Sequence, residues 1–200
     1  MMERSSGCAV LAAALLLSGC TGVISTKPWF TAANAGAAPR LRDGVWGYGP
    51  MPRTQPCPTL DETKPVKDWP DCAKGIVITG GRLSMTDDKG KTESAPFVVA
   101  AGDPEILQMQ NTPEPQYLYA WIRTDKTDAA GRAIAISGWR VLCGAPGPND
   151  TTPTRYPGLA KSDSDCTAAS IAALRAAAKS SEADDKTDRF EAHWVRAGNR

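Results

Sequence analysis

The fold follows from the stretch Tyr117-Leu118-Tyr119-Ala120-Trp121-Ile122-Arg123. Side chains alternate between the two faces of a β-strand, so the aromatic residues share one face and the intervening leucine, alanine and isoleucine share the other. Both faces are apolar, which is typical of a strand that is covered on both sides. We therefore expect packed layers on both faces of this strand.

Shorter segments of strand character surround this stretch. In residues 133–143, which follow it, two isoleucines share one face, while Trp139, Val141 and Cys143 share the other. Segments rich in β-branched and aromatic residues, bounded by glycine, proline and aspartate, predict the upstream strands. These are residues 41–48, 75–86 with a kink at Gly80-Gly81, 95–101 and 106–110.

The hydrophobic period changes near the C-terminus. Ser164 or Asp165 is predicted to cap an alanine-rich helix that runs to about Glu182. Residues 189–196 alternate again and predict a last strand. The expected fold is mainly β, an antiparallel sheet or a partly open barrel or sandwich, with one C-terminal helix followed by a last strand. An α+β fold is the alternative.

Four aromatic side chains are candidates for lining a ligand cavity: Tyr117, Tyr119, Trp121 and Trp139. A carrier of a small apolar ligand leaves room between such rings. A sealed body instead packs them against one another and against the helix, and we favour this second arrangement.

The N-terminus carries an apolar run, residues 9–17, that is too short for a transmembrane helix and has the length of a signal-peptide core. Leu17-Ser18-Gly19-Cys20 then resembles the lipobox of bacterial lipoproteins. The resemblance implies cleavage before Cys20, diacylglycerol on its sulfur and a membrane anchor. Thr21 in place of aspartate favours the outer membrane, facing the periplasm. An ordinary secretory signal is the alternative.

The chain is accordingly divided into a signal peptide (residues 1–19), a lipidated tether (20–40) and one β-rich domain (41–200). The tether is expected because its sequence is small, alanine-rich and without period. Trp29 and Phe30, which interrupt it, suit either the membrane interface or a site on the surface of the domain, and we favour the domain.

Four cysteines remain once Cys8 is removed with the signal and Cys20 carries lipid. In an exported protein an even number predicts disulfides, here Cys57–Cys72 and Cys143–Cys166, each closing a short loop. Four cysteines allow three connectivities, and proximity in the sequence is the ground for this choice. Cys166 is expected in the first turn of the helix.

Catalytic groups are scarce. His193 is the single histidine and alternates away from the apolar face of its strand. Metal sites need clustered histidine or free cysteine, so neither a metal nor another cofactor is predicted. Asp68 and Asp71 are the carboxylates that a hydrolase would have to use. The nearly balanced net charge of +1, without a basic stripe, argues against nucleic acid.

Gly44-Val45-Trp46 is similar to the Gly-x-Trp of lipocalins, some of which are outer-membrane lipoproteins. The resemblance implies a β-barrel that carries a small apolar ligand, although the later Thr-Asp-Tyr of lipocalins is absent. With its lipobox and paired cysteines, the chain also resembles a group of proteobacterial envelope lipoproteins that carries no known activity.

We therefore expect a membrane-anchored envelope lipoprotein with a non-catalytic structural or interaction role. Its partner would be an envelope protein or the cell wall. A lipocalin-like binder is the alternative, and a carboxylate-based hydrolase is less favoured.

Overall fold

The computed structural model describes residues 22–33, 35–51, 61–69, 74–86, 91–111, 116–145, 154–162, 165–184 and 189–198. The strands of this part are β1 Ile24–Ser25, β2 Gly44–Met51, β3 Lys74–Thr79, β4 Arg82–Thr86, β5 Thr92–Ala100, β6 Glu105–Asn111, β7 Gln116–Thr127, β8 Ala133–Arg140, β9 Gly144–Ala145, β10 Thr154–Arg155, β11 Leu159–Ser162, β12 Asp165–Ala168 and β13 Arg189–Arg196. The described residues also form an α-helix, α1, at Ile171–Asp184 and a short 3-10 helix at Val66–Asp68.

Eight antiparallel strands close into a barrel. Their order is β7-β6-β5-β4-β3-β2-β13-β8, and β8 pairs with β7 to complete the ring. Each strand from β2 to β8 lies beside the next one in the chain, and the last place is taken by β13, which follows the helix. The prediction of a mainly β fold with one C-terminal helix and a last strand is confirmed. The closure removes the exposed strand edges that an open sheet would present.

The two faces of the sheet carry two separate apolar clusters. Inside the barrel lie Leu41, Trp46, Ile76, Ile78, Ala120, Ile122, Ala133, Ile136, Phe190 and Ala192. On the outer face, β6, β7 and β8 are covered by α1 and by the N-terminal segment, which here means residues 22–33 and 35–40. Members of this second cluster include Phe30, Ile106, Tyr119, Trp121, Trp139, Val141, Leu174, Ala177 and Ala178. The expectation that residues 117–123 are covered on both faces is thereby confirmed.

The helix begins later than predicted. Asp165–Ala168 form β12, which pairs with β11, and α1 starts only at Ile171. Ser170 caps it, since its hydroxyl accepts the N–H of Ala173 at 3.1 Å. The predicted cap at Ser164 or Asp165, and with it the placing of Cys166 in the first helical turn, is wrong. A residue that can cap a helix is present at Asp165 and again at Ser170. The pairing of Asp165–Ala168 with β11 places the first of these in a strand, so the helix starts after the second.

Residues 75–86 form a hairpin, not one kinked strand. β3 and β4 are antiparallel neighbours, with Thr79 opposite Arg82. The two residues between them, Gly80 and Gly81, have φ angles of 56° and 75°. Positive φ at both central positions is the requirement of the tight hairpin turn that suits the twist of the strands. The glycine pair therefore reverses the chain.

The predicted tether is largely part of the folded body. Val23, Phe30 and Ala35 are buried in the outer cluster, and β1 pairs with β7. The expectation of a free tether is wrong for residues 22–33 and 35–40. Three apolar side chains at irregular spacing carry this packing, so no period reveals it. The prediction that Trp29 and Phe30 pack on the domain is confirmed.

The signal peptide, the lipobox with Cys20, and the predicted Cys57–Cys72 pair lie outside the described residues.

Candidate functional site: the interior of the barrel

The barrel interior is built from alternate residues of its strands. Residues directly opposite each other in antiparallel strands share a face. Trp46 of β2 lies opposite Ile76 of β3, and Ala120 of β7 lies opposite Leu107 of β6. These side chains all point inward, so the interior is lined by an apolar wall.

An apolar cavity of about 70 Å³ lies within this wall. Its surface is almost entirely apolar. Several of the lining side chains are only half-buried, so part of the apolar surface is open to solvent. The lining residues are Leu41, Trp46, Tyr48, Ile76, Ile78, Leu83, Met85, Phe97, Leu107, Met109, Ala120, Ile136, Phe190 and Ala192.

An arginine and two tryptophans lie together where β2 begins and β13 ends. The indole N–H of Trp46 donates to the carbonyl of Arg42 at 2.8 Å, and Trp46 is fully buried. The guanidinium of Arg42 lies 3.7 Å from the ring centroid of Trp194, which is cation–π geometry. Asp128 contacts Arg42 at 3.7 Å and Arg132 at 2.7 Å. Its hydrogen bonds with Arg132 hold the pKa of the Asp128 carboxyl below its usual value.

The carboxyl of Glu105, on the inner face of the sheet, has a raised pKa. Glu105 lies opposite Ile122 at the start of β6, and its Oε2 accepts the hydroxyl of Thr124 at 3.2 Å. Burial raises the pKa of Glu105, and the Thr124 hydrogen bond opposes that rise. Glu105 is not among the residues that line the cavity, so the cavity offers a ligand apolar contact and no charge.

The four predicted lining residues do not line this cavity. Tyr119, Trp121 and Trp139 project from the outer face of the barrel into the cluster beneath α1, and Tyr117 packs against that cluster. The rings of Trp121 and Trp139 are 4.1 Å apart between centroids in an edge-on arrangement. The favoured arrangement, in which these rings pack against one another and against the helix, is therefore the one observed, and the alternative of a cavity lined by them is not. The alternation separates the two faces of the strand but does not say which face turns inward.

Tyr119 also holds the N-terminal segment. Its hydroxyl and that of Ser25 form a hydrogen bond of 2.5 Å across β1 and β7. Burial raises the pKa of Tyr119 to about 12, against the lowering effect of the Ser25 hydrogen bond. The aromatic face of β7 therefore serves packing in this structure.

Cys143 and Cys166 form the predicted disulfide, with their Cα atoms 5.7 Å apart. The bond joins the chain just after β8 to β12. It lies beside Gly22, whose carbonyl oxygen is 3.2 Å from the Cys143 sulfur. The disulfide therefore fastens three separate parts of the chain at one point.

The candidate catalytic groups do not come together. His193 is exposed, as predicted, and its Nε2 lies 3.5 Å from Glu62 Oε1, which is also on the surface. Asp68 is exposed at the end of the 3-10 helix, and Asp71 lies outside the described residues. Among the residues that the structure describes, no group of three or more histidine, cysteine or acidic side chains is placed to hold a metal.

Sequence reasoning missed the residues that line the cavity. Tyr48, Leu83, Met85, Phe97 and Leu107 come from four different strands, and each alternates with more exposed or differently packed neighbours. The sequence signal that could have identified them is the alternation with a period of two residues, which marks one apolar face on each strand. Assigning those faces to one cavity requires the closed ring.

No family model, curated protein or solved structure matches the chain. Within the described residues, no helix is both long and apolar enough to cross a membrane.

Proposed function

We propose that the protein is a lipid-anchored envelope protein whose barrel binds one slender apolar ligand, without catalysis. The observation that carries the binding role is the apolar cavity with half-buried lining. Eight-stranded barrels have an interior that either fills with side chains or holds one small ligand. Here the interior is filled in part, and the space that remains is apolar.

The lining defines the class of ligand. With no charged side chain and almost no polar surface in the wall, binding rests on the removal of apolar surface from water. A volume of about 70 Å³ is well below the roughly 300–1,000 Å³ of pockets for drug-sized ligands. The ligand that fits is therefore a narrow apolar group, such as part of a single acyl chain or one small ring.

The binding role is tested with cis-parinaric acid, a fluorescent fatty acid with a single slender chain, and the oxidised protein. We expect saturable binding of one probe per chain. Ala120→Leu fills the cavity and should weaken binding at least about ten-fold, which corresponds to about 1.4 kcal/mol. Leu107→Ala enlarges the cavity and should strengthen binding. Val77→Leu changes a half-buried residue that is outside the cavity lining and is the matched control.

The second candidate function is a structural role without a ligand, through contacts with an envelope protein or the cell wall. It is favoured by the small volume of the cavity and by the dense outer cluster under α1. Absence of saturable probe binding to the wild type, or equal binding by the wild type and the folded Ala120→Leu variant, would reject the carrier role and leave this one.

The anchor is proposed from the lipobox resemblance at Leu17-Ser18-Gly19-Cys20. Two or three acyl chains on Cys20 would hold the protein far more firmly than one, which binds membranes only marginally. Mass spectrometry of the protein from its native host should find a chain that begins at acylated Cys20, and Cys20→Ala should leave it unprocessed or soluble. An intact, unlipidated N-terminus would reject the anchor and the outer-membrane location that follows from it.

A further inference from the structure

The first residue that the structure describes, Gly22, is held in place by several bonds. Its N–H donates to Asp165 Oδ1 at 3.1 Å, and its carbonyl accepts the N–H of Cys166 at 3.2 Å. The next residue, Val23, donates its N–H to the carbonyl of Val141 at 2.9 Å and is 1% exposed. The disulfide between Cys143 and Cys166 lies against the same point.

The chain length between this point and the proposed lipid is very short. Cys20 precedes Gly22 by two residues, and an extended chain spans at most about 3.6 Å per residue. The Cα atom of Cys20 therefore lies within about 7 Å of that of Gly22. A flexible tether of 20 residues would have reached about 25 Å. A lipid on Cys20 thus leaves almost no distance between the membrane and the surface around Gly22.

The surface around Gly22 is formed by β9 to β12 and exposes two basic side chains. Lys161 on β11 lies opposite Cys166, and Arg155 on β10 lies opposite Gly144, next to Cys143. Both side chains are exposed. Within the described parts of β9 to β12, the one acidic side chain is Asp165, which accepts the N–H of Gly22. The sequence of this region also contains Asp150 and Asp163, so it has no excess of basic residues, and the proximity to Cys20 is what places it at the membrane.

We propose that the barrel lies directly against its membrane, with the surface formed by β9 to β12 facing the phospholipid headgroups, instead of hanging from a flexible tether. The proposal rests on the lipid anchor of the proposed function. Its observations are the contacts that fix Gly22 on Asp165 and Cys166 of β12 and the two-residue distance from Gly22 to Cys20.

The orientation is tested on the acylated protein in vesicles of phosphatidylglycerol and phosphatidylcholine that contain a headgroup-linked nickel quencher. A fluorescent amino acid replaces Lys161 in one chain and Thr79 in another. Thr79 is exposed on β3, four strands from β7 around the ring, and is the matched control. We expect several-fold stronger quenching at position 161 than at position 79.

A second variant tests whether the short distance between Cys20 and Gly22 causes the difference in quenching. A flexible glycine-serine insertion of about 20 residues between Thr21 and Gly22 restores a long tether without touching the barrel, and it should remove most of the contrast. Equal quenching at both positions before the insertion, stronger quenching at 79, or quenching at neither would overturn the proposal. If mass spectrometry finds no acyl group, the proposed anchor fails separately. In that case the labelled chains are produced so that they begin at Cys20, and a maleimide lipid is coupled to the Cys20 thiol. These chains still test the orientation.

Discussion

Gln108 and Phe30 are joined by two hydrogen bonds across 78 residues of sequence. The Gln108 Oε1 accepts the N–H of Phe30 at 2.9 Å, and the Gln108 Nε2 donates to the carbonyl of Phe30 at 2.8 Å. Both bonds are buried. The side-chain amide thus gives Phe30 the pair of bonds that a neighbouring strand would give, and it fixes the N-terminal segment on β6.

Gln108→Leu should therefore lower the free energy of unfolding by about 2–4 kcal/mol, because it leaves the N–H and the carbonyl of Phe30 buried without a partner. Urea unfolding measures the loss, and amide hydrogen exchange at Phe30 should become faster. Gln110→Leu, two residues along the same face of β6 and half-buried, is the control and should change stability by less than about 1 kcal/mol. Equal losses in the two variants would contradict this role of Gln108.

The disulfide between Cys143 and Cys166 should contribute about 3 kcal/mol to stability, because it closes a loop with a sequence separation of 23 residues. Cys143→Ala with Cys166→Ala should lower the denaturation midpoint accordingly, and reduction of the wild type, which also opens the predicted Cys57–Cys72 bond, should lower it at least as much. Peptide mapping without reductant should recover the two cysteines in one linked peptide. A linkage of either to Cys57 or Cys72 would show the pairing to be wrong.

Gly138 on β8 is required by the packing of the barrel interior. A Cβ atom there would overlap the carbonyl oxygen of Trp121 and would come within 2.7 Å of the Phe190 ring. Gly138→Ala should therefore cost about 1–3 kcal/mol in thermal or urea unfolding. Adding Phe190→Leu relieves the ring contact and not the backbone contact, so recovery should be partial. Full stability of Gly138→Ala alone would contradict the close approach of β7 and β8.

Tyr119 should ionise well above the ordinary range of a tyrosine, since burial raises its pKa to about 12. The folded pKa lies above the ordinary value of 10, so the associated stability is complete below about pH 10 and is lost as the pH rises toward about 12. Ultraviolet absorbance of tyrosinate measures the titration. Ser25→Ala removes a hydrogen bond that lowers this pKa and should shift it further upward. A downward shift would contradict the assigned contact.

Much of the local structure can be predicted from the sequence. The alternation in residues 117–123 predicts a strand with two covered faces, and residues 189–196 form β13 within the predicted bounds. The proximity of Cys143 and Cys166 in the chain predicts their disulfide. These features depend on residues that are close together in the chain, within one strand or one short loop. Within a strand the side chains alternate between the two faces, so the sequence pattern shows the faces directly.

The candidate site depends on contacts that no local pattern carries. The sequence by itself determined that β7 has two apolar faces, whereas only the tertiary structure decided that Tyr119 and Trp121 turn outward beneath α1. That choice is made by closure of the ring, where β13 lies between β2 and β8. Closure joins strands far apart in the chain, and their register decides which alternate residues enclose the cavity.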